Sequence, residues 1–265
     1  MIPSDSPFAA PIQLSVILPC FNEAGCLEEL VHELNAVLDN LPLTSEILLI
    51  DDASEDSTRD VALDLRARLP RVRLGLHAAR CGQSAAFATG LSLARGELLA
   101  MLDADGQADP RDFPRLLHAL GAADAVCGVR RERHDGALKR LASKVGNGVR
   151  KLVTRDPTTD AGCTFRVLRA QAARELPAFN GLHRFLPALL RMQGFAVVEC
   201  PVTHRPRTAG LSKYGIRDRM FRGLVDCFVM LWFRRRSFPA RRCVGEPGAL
   251  AVATPTARVL VGSVE

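Results

Sequence analysis

The chain has 265 residues, 48% hydrophobic and 24% charged, a globular composition with room for one large core and no sign of disorder. Its eight cysteines are too sparse for a small disulfide scaffold and contain no CxxC pair, which excludes a structural zinc knuckle and favours a reducing compartment. The net charge of +6 conceals a polarity, with three Arg against thirteen acids in residues 1–70 and eleven Lys and Arg against two Asp in residues 201–243.

Residues 1–11 form an N-terminal extension with neither a basic n-region nor a long apolar stretch, so no secretory signal is expected. Leu14–Leu18 reads as a first strand ending at Pro19. Apolar residues at Leu27, Leu30, Val31, Leu34 and Leu38 predict a helix over 23–38. Glu46–Ile50 is a second buried strand that runs into Asp51 and Asp52, and Asp56 or Ser57 can cap a helix to about Arg68. Val72–Leu76, Gln83–Ala94 and Leu98–Leu102 follow as strand, helix and strand, the last opening into Asp103-Ala-Asp-Gly-Gln107.

Past residue 110 the alternation weakens. Strands are expected near 124–129, 165–168 and 196–202, and helices over 138–152, 185–192 and 216–233. Residues 205–215, rich in Arg, Gly and Ser, read as a mobile loop, and 244–265 as a loosely ordered tail. No window reaches the roughly 18 uncharged apolar residues needed to cross a bilayer, the nearest being Leu224–Phe233, ten residues long and interrupted by Asp226.

Strand and helix alternating over short connections predict a parallel α/β sheet with helices on its faces. Ligands bind such sheets beyond the carboxyl ends of the strands. Asn22 and Glu23, Asp51 and Asp52, and Asp103 and Asp105 each follow a different strand, so three polar sites converge on one edge.

Asp103, Asp105 and the amide oxygen of Gln107 make an all-oxygen set suited to Mg²⁺ or Mn²⁺, completed by substrate phosphate. The plainer reading of such an Asp-x-Asp is a turn. Asp51 and Asp52 suit hydrogen bonds to a nucleobase or ribose, or equally an Asx-turn and helix cap before Asp56-Ser57-Thr58. Neither a P-loop nor GxGxxG occurs. The basic third meets an anionic partner or is a solvated Arg-rich face. Nucleic acid would leave the acidic strand ends unexplained.

Residues 15–23 (SVILPCFNE), 49–58 (LIDDASEDST) and 101–107 (MLDADGQ) resemble the family-two glycosyltransferases, over roughly residues 12–233. His77-x-x-Arg80-x-Gly82-Gln83, Gly128-Val-Arg130, Asp160–Arg166 and His204-Arg-Pro-Arg207-x-x-Gly210-x-Ser212-Lys213-Tyr214 resemble the polyprenyl-phosphate branch, which includes dolichol-phosphate mannose synthase. The resemblance implies an α/β GT-A fold, a single Rossmann-like mixed sheet flanked by helices, over residues 12–215. It implies an inverting transfer from a UDP- or GDP-sugar to a polyprenyl phosphate such as undecaprenyl phosphate. Pro19, Asn22, Glu23, Asp51, Asp52, Gly82, Gln83 and Asp103 would bind the nucleotide-sugar, and Asp103, Asp105 and Gln107 the metal. Arg130, Arg140, Arg207 and Lys213 would bind acceptor or donor phosphate. Asp105, Asp160, Arg130 and Arg207 would carry catalysis, Asp160 as a base or orienting carboxylate, or alternatively as the partner that aims Arg166.

Cys163-Thr164 stands where relatives often have Ser-Gly, and many relatives carry C-terminal transmembrane helices. Here residues 216–243 read as a basic amphipathic segment lying on an anionic membrane at its cytoplasmic face, or as a core helix with a charged exit. Transfer to a hydroxyl or amine, which needs a true base, and noncatalytic nucleotide-sugar binding are the rival functions.

Overall fold

The computed structural model describes residues 11–130, 148, 151, 153–206 and 216–236, with side chains of the last helix from Asp226 onward. The strands are β1 (Leu14–Cys20), β2 (Ser45–Asp51), β3 (Val72–Leu76), β4 (Leu98–Met101), β5 (Ala125–Arg130), β6 (Arg166–Arg169) and β7 (Val197–Val202). They form one sheet in the order β3-β2-β1-β4-β6-β5-β7. The helices are α1 (Ala24–Asp39), α2 (Thr58–Arg68), α3 (Gln83–Leu93), α4 (Phe113–Leu120), α5 (Ala170–Arg174), α6 (Leu182–Met192) and α7 (Ile216–Arg236). The sheet is mixed because β6 runs antiparallel between β4 and β5, whereas β1 pairs in parallel with both β2 and β4.

The middle of the central strands is apolar on both faces because both are covered. Leu14, Val16, Leu18, Ile47 and Leu49 pack on the side of α1, and Ile17, Leu48 and Ile50 on the side of α3 and α6. Apolar residues of α1 at helical spacing, from Leu27 to Leu38, form the buried stripe that faces the sheet. Gly90 lets α3 lie directly on Ile17, whose Cγ2 stands 2.2 Å from where a Cβ would sit. Strand β1 reaches Cys20 despite Pro19. The Ile17 carbonyl accepts from Leu102, so Pro19 presents its missing N–H on the β4 side, beyond the last paired residue.

At the opposite end of these strands, Glu46 is buried and acts as a four-way tie. Its Oε1 accepts from the Ser15 hydroxyl at 2.6 Å and from the Arg95 amide at 2.9 Å. Its Oε2 accepts from Arg73 at 2.8 Å and from Arg95 Nε at 2.9 Å. Burial pushes this carboxyl up, but the donors from Ser15, Arg95 and Arg73 outweigh it and hold Glu46 below its ordinary 4.5.

The expected strands and helices up to residue 102 are present within a residue or two of their bounds. Two short helices, α4 and α5, have no counterpart in the sequence reading. Helix α4 has only eight residues, but Pro114 in its first turn after a Pro110–Asp112 3₁₀ turn is a start signal that composition alone hides. The expected helix at 138–152, the tail at 244–265 and the extension at 1–11 lie wholly or mostly outside the described residues.

Glu46→Gln should lower stability by about 2 kcal/mol at neutral pH. A depressed carboxyl contributes above its unfolded value and loses that contribution as pH falls. The melting temperatures of wild type and variant should therefore converge below pH 4.5, and a constant gap in a pH series would refute the charge assignment.

Candidate active site

The loops after β1 and β2 are laced together before any ligand arrives. Asn22 donates its amide to Ser54 Oγ (3.0 Å) and accepts from the Glu55 amide at Oδ1 (2.8 Å), while Glu23 donates its amide to Thr58 Oγ1 (2.8 Å). Asn22 and Ala53 both take positive φ, 53° and 57°, a strain these contacts hold in place. Asp51 accepts from the Ser54 amide three residues on at 3.2 Å and from Arg59 Nε at 3.2 Å. Arg80 lies over the Phe21 ring, 4.0 Å from its centroid, at the rim of the same region.

Asp52 grips the turn that follows β3. Its carboxylate accepts from the Cys81 amide (2.8 Å), the Gly82 amide (2.7 Å) and His77 Nδ1 (2.8 Å), and His77 Nε2 meets Thr89 Oγ1 at 2.9 Å. Gly82 supplies the φ of 93° that the turn requires. Asp52, His77 and Cys81 bring potential metal-ligand atoms within 4.8 Å of one another. Both ring nitrogens and most carboxylate lone pairs are already spent on each other, on backbone and on Thr89, so the cluster reads as a hydrogen-bonded turn support. Its product is the placement of Gln83, whose Nε2 donates to Asp103 Oδ1 at 2.6 Å.

Asp103, Asp105 and Gln107 line one small polar cavity together with Arg130, Cys163, Thr164 and His204. Burial and then the charge of Asp105 push Asp103 up to about 6, against hydrogen bonds from Thr164 and Gln83 and the nearby Arg166 cation. Two crowded carboxylates with an amide oxygen beside them are a donor set that a hard divalent cation fits. Above pH about 6 their repulsion is a cost that such a cation removes; below it, a proton competes for the same oxygens.

Across the cavity, Asp160 holds Arg130 bidentately, with Nε to Oδ2 at 2.7 Å and Nη2 to Oδ1 at 2.8 Å. A Cβ on Gly162 would stand 2.9 Å from Arg130 Nη2, so glycine makes room for the guanidinium. The partner of Asp160 is therefore Arg130 and not Arg166. Arg166 is fully buried and donates instead to the carbonyls of Ala161 (2.9 Å) and His183 (2.6 Å). Pro187, inside α6, has no N–H to offer the His183 carbonyl four residues back, and Arg166 takes that vacancy. Ser84 Oγ also meets His183 Nδ1 at 2.8 Å, tying the starts of α3 and α6 beneath Asp103.

A sequence profile named Glycosyl transferase family 2 matches residues 15–176. The chain belongs to glycosyl transferase family 2. This transferase is 33% identical over 233 residues to a dodecaprenyl-phosphate galacturonate synthase of Rhizobium johnstonii, covering 84% of this chain and 68% of that one. It is 32% identical over 220 residues to an undecaprenyl-phosphate 4-deoxy-4-formamido-L-arabinose transferase of Edwardsiella ictaluri, covering 82% and 68%. Its fold matches glucosyl-3-phosphoglycerate synthase of Mycobacterium tuberculosis, solved with Mn²⁺, UDP and phosphoglyceric acid, at a TM-score of 0.63 and 17% identity over 86% of this chain and 80% of that one. The α/β fold is GT-A.

Of the residues singled out from the transferase's sequence, Asp103, Asp105, Gln107 and Arg130 share one cavity, with Asp160 behind Arg130. Pro19, Asn22, Glu23, Asp51, Asp52, Gly82 and Gln83 sit on the ends of β1 and β2, the loops that follow them, and the turn before α3. Arg140, Arg207 and Lys213 lie outside the described residues. Thr164, His204 and Arg205 carry no site role in the sequence alone, though Thr164 bonds Asp103 and His204 lines the cavity. Their only sequence signal was membership in motifs.

With both Asp160 oxygens engaged by Arg130, Asp160→Asn should slow turnover about tenfold to a hundredfold by loosening the guanidinium. The pH–rate profile should keep its acidic limb; disappearance of that limb would identify Asp160 as a general base instead.

Proposed function

We propose that this family 2 glycosyltransferase moves a sugar, with inversion, from a UDP- or GDP-sugar to a polyprenyl phosphate such as undecaprenyl phosphate. The observation that carries the reading is one cleft holding both a cation site, Asp103 with Asp105 and Gln107, and a carboxylate-braced guanidinium, Arg130. A nucleotide-sugar diphosphate needs the first and a phosphate acceptor the second. The names of the two similar transferases, both acting on polyprenyl phosphates, support that acceptor class.

In this mechanism Pro19, Asn22, Glu23, Asp51, Asp52, Gly82 and Gln83 surround the nucleoside. Asp103, Asp105 and Gln107 hold Mg²⁺ or Mn²⁺, which when bound neutralises charge on the departing diphosphate. Arg130, with Arg140, Arg207 and Lys213 as further candidates, orients the acceptor phosphate bidentately in line with the anomeric carbon. An acceptor oxygen forms the new bond as the bond to the diphosphate breaks, so the configuration inverts and a nucleoside diphosphate leaves. The acceptor is ionised at neutral pH and needs no strong base, which agrees with an Asp160 committed to Arg130.

Residues 12–215 form the catalytic domain in this reading, and 216–243 the contact with an anionic membrane at its cytoplasmic face. Cys227 and Met230 pack α7 against Leu182, Phe185 and Leu189 of α6. Phe228, Val229 and Trp232 face outward, with Trp232 63% exposed, just before Arg234, Arg235 and Arg236. Apolar side chains beside a basic cluster match an interfacial helix. No helix among the described residues is long and apolar enough to cross a membrane.

Purified protein given Mg²⁺ or Mn²⁺, undecaprenyl phosphate and a panel of UDP- and GDP-sugars should release nucleotide from one donor only when the lipid is present. Nucleotide binding without lipid-dependent release would keep the donor half and reject the acceptor. Separately, Phe228→Glu with Trp232→Glu should reduce co-sedimentation with anionic vesicles while sparing nucleotide binding, and undiminished co-sedimentation would move the contact elsewhere.

A further inference from the structure

The segment that follows β7 is fastened to the turn carrying Gln107. Ala108 and His204 form an antiparallel bridge, the Arg205 amide donates to the Gln107 carbonyl at 2.7 Å, and the Thr203 amide donates to Asp112 Oδ2. The Arg205 guanidinium then reaches past this backbone and closes on two acids from different elements. Nη1 pairs with Glu33 of α1 at 2.7 Å and Nη2 with Asp109 at 2.8 Å. Arg111 shares Asp109, which is nearly buried.

The Gln107 side chain shows what the clamp accomplishes. Its Nε2 lies 3.4 Å from the Arg205 carbonyl and 3.5 Å from His204 Nε2. A carbonyl oxygen can only accept, so it requires the nitrogen of the amide on its side. The amide oxygen is thereby turned away from the 204–205 backbone.

We propose that Arg205 is a positioning residue for the divalent cation: anchored by Glu33 and Asp109, it holds its carbonyl against the Gln107 nitrogen and so presents the Gln107 oxygen to the metal. The proposal rests on the reading that Asp103, Asp105 and Gln107 bind that metal. Groups behind a ligand commonly govern metal affinity about tenfold to a hundredfold.

The test is Mn²⁺ binding followed by electron paramagnetic resonance, with and without UDP, alongside melting temperatures. Arg205→Ala should weaken Mn²⁺ binding about tenfold, and Arg205→Lys should recover part of the loss because a single ammonium cannot span both acids as a planar fork does. Gln107→Glu has two equivalent oxygens and no amide to orient, so adding Arg205→Ala to it should cost little further affinity. An equal loss in both backgrounds would make Arg205 merely structural, and wild-type affinity in Arg205→Ala would end the proposal. If wild-type protein itself binds no Mn²⁺, the metal reading fails and takes this inference with it.

Discussion

The site is built at one end of the sheet by a carboxylate buried at the other. Glu46 ties together Ser15 of β1, Arg73 of β3 and Arg95 just before β4, and so fixes where four neighbouring strands begin. Strand register propagates without slack, since a one-residue slip would exchange the two faces of each strand. With Cys20 opposite Asp51 and Ile17 opposite Met101, the loops that carry Asn22, Asp51 and Asp103 emerge at one edge. An error at Glu46 would be read out as misplaced chemistry a strand's length away.

At that edge the governing problem is electrostatic. Asp103 and Asp105 repel each other, and protein groups relieve this only in part through Gln83, Thr164 and Arg166. Arg130 is braced by Asp160 in the opposite sense, so the cleft has one wall suited to a cation and one suited to an anion. Preorganising both before substrate arrives removes the reorganisation that water would otherwise require. In the proposed reaction the same division would keep the donor's leaving group apart from the incoming phosphate, whose mutual repulsion is otherwise a barrier to their meeting.

The first half of the fold was legible because strands buried on both faces announce themselves as apolar runs, as in Glu46–Ile50, and because amphipathic spacing marks α1. Acids directly after those runs placed Asp51, Asp52, Asp103 and Asp105 on one edge. The second half was less so: β6 inserts antiparallel between β4 and β5, a choice made by tertiary pairing that no local pattern encodes. The Arg130–Asp160 pair joins residues far apart in sequence, and the sequence reading names Arg166, nearer along the chain, as the cation that Asp160 would aim. Asp52 reads equally as a ligand-binding acid or as a cap before Asp56, yet much of its capacity supports the distant 81–82 turn, which only three-dimensional proximity reveals.

Arg166 and Pro187, distant in sequence, share one backbone oxygen. The proline leaves a helix carbonyl without its usual donor, and the buried arginine finds in that carbonyl one of the few acceptors within reach. Replacing the proline alone returns an amide to compete for the same oxygen, and replacing the arginine alone leaves the oxygen stranded in the interior. The two side chains meet at one oxygen, so the cost of changing either depends on whether the other is present, and their effects on stability should not add.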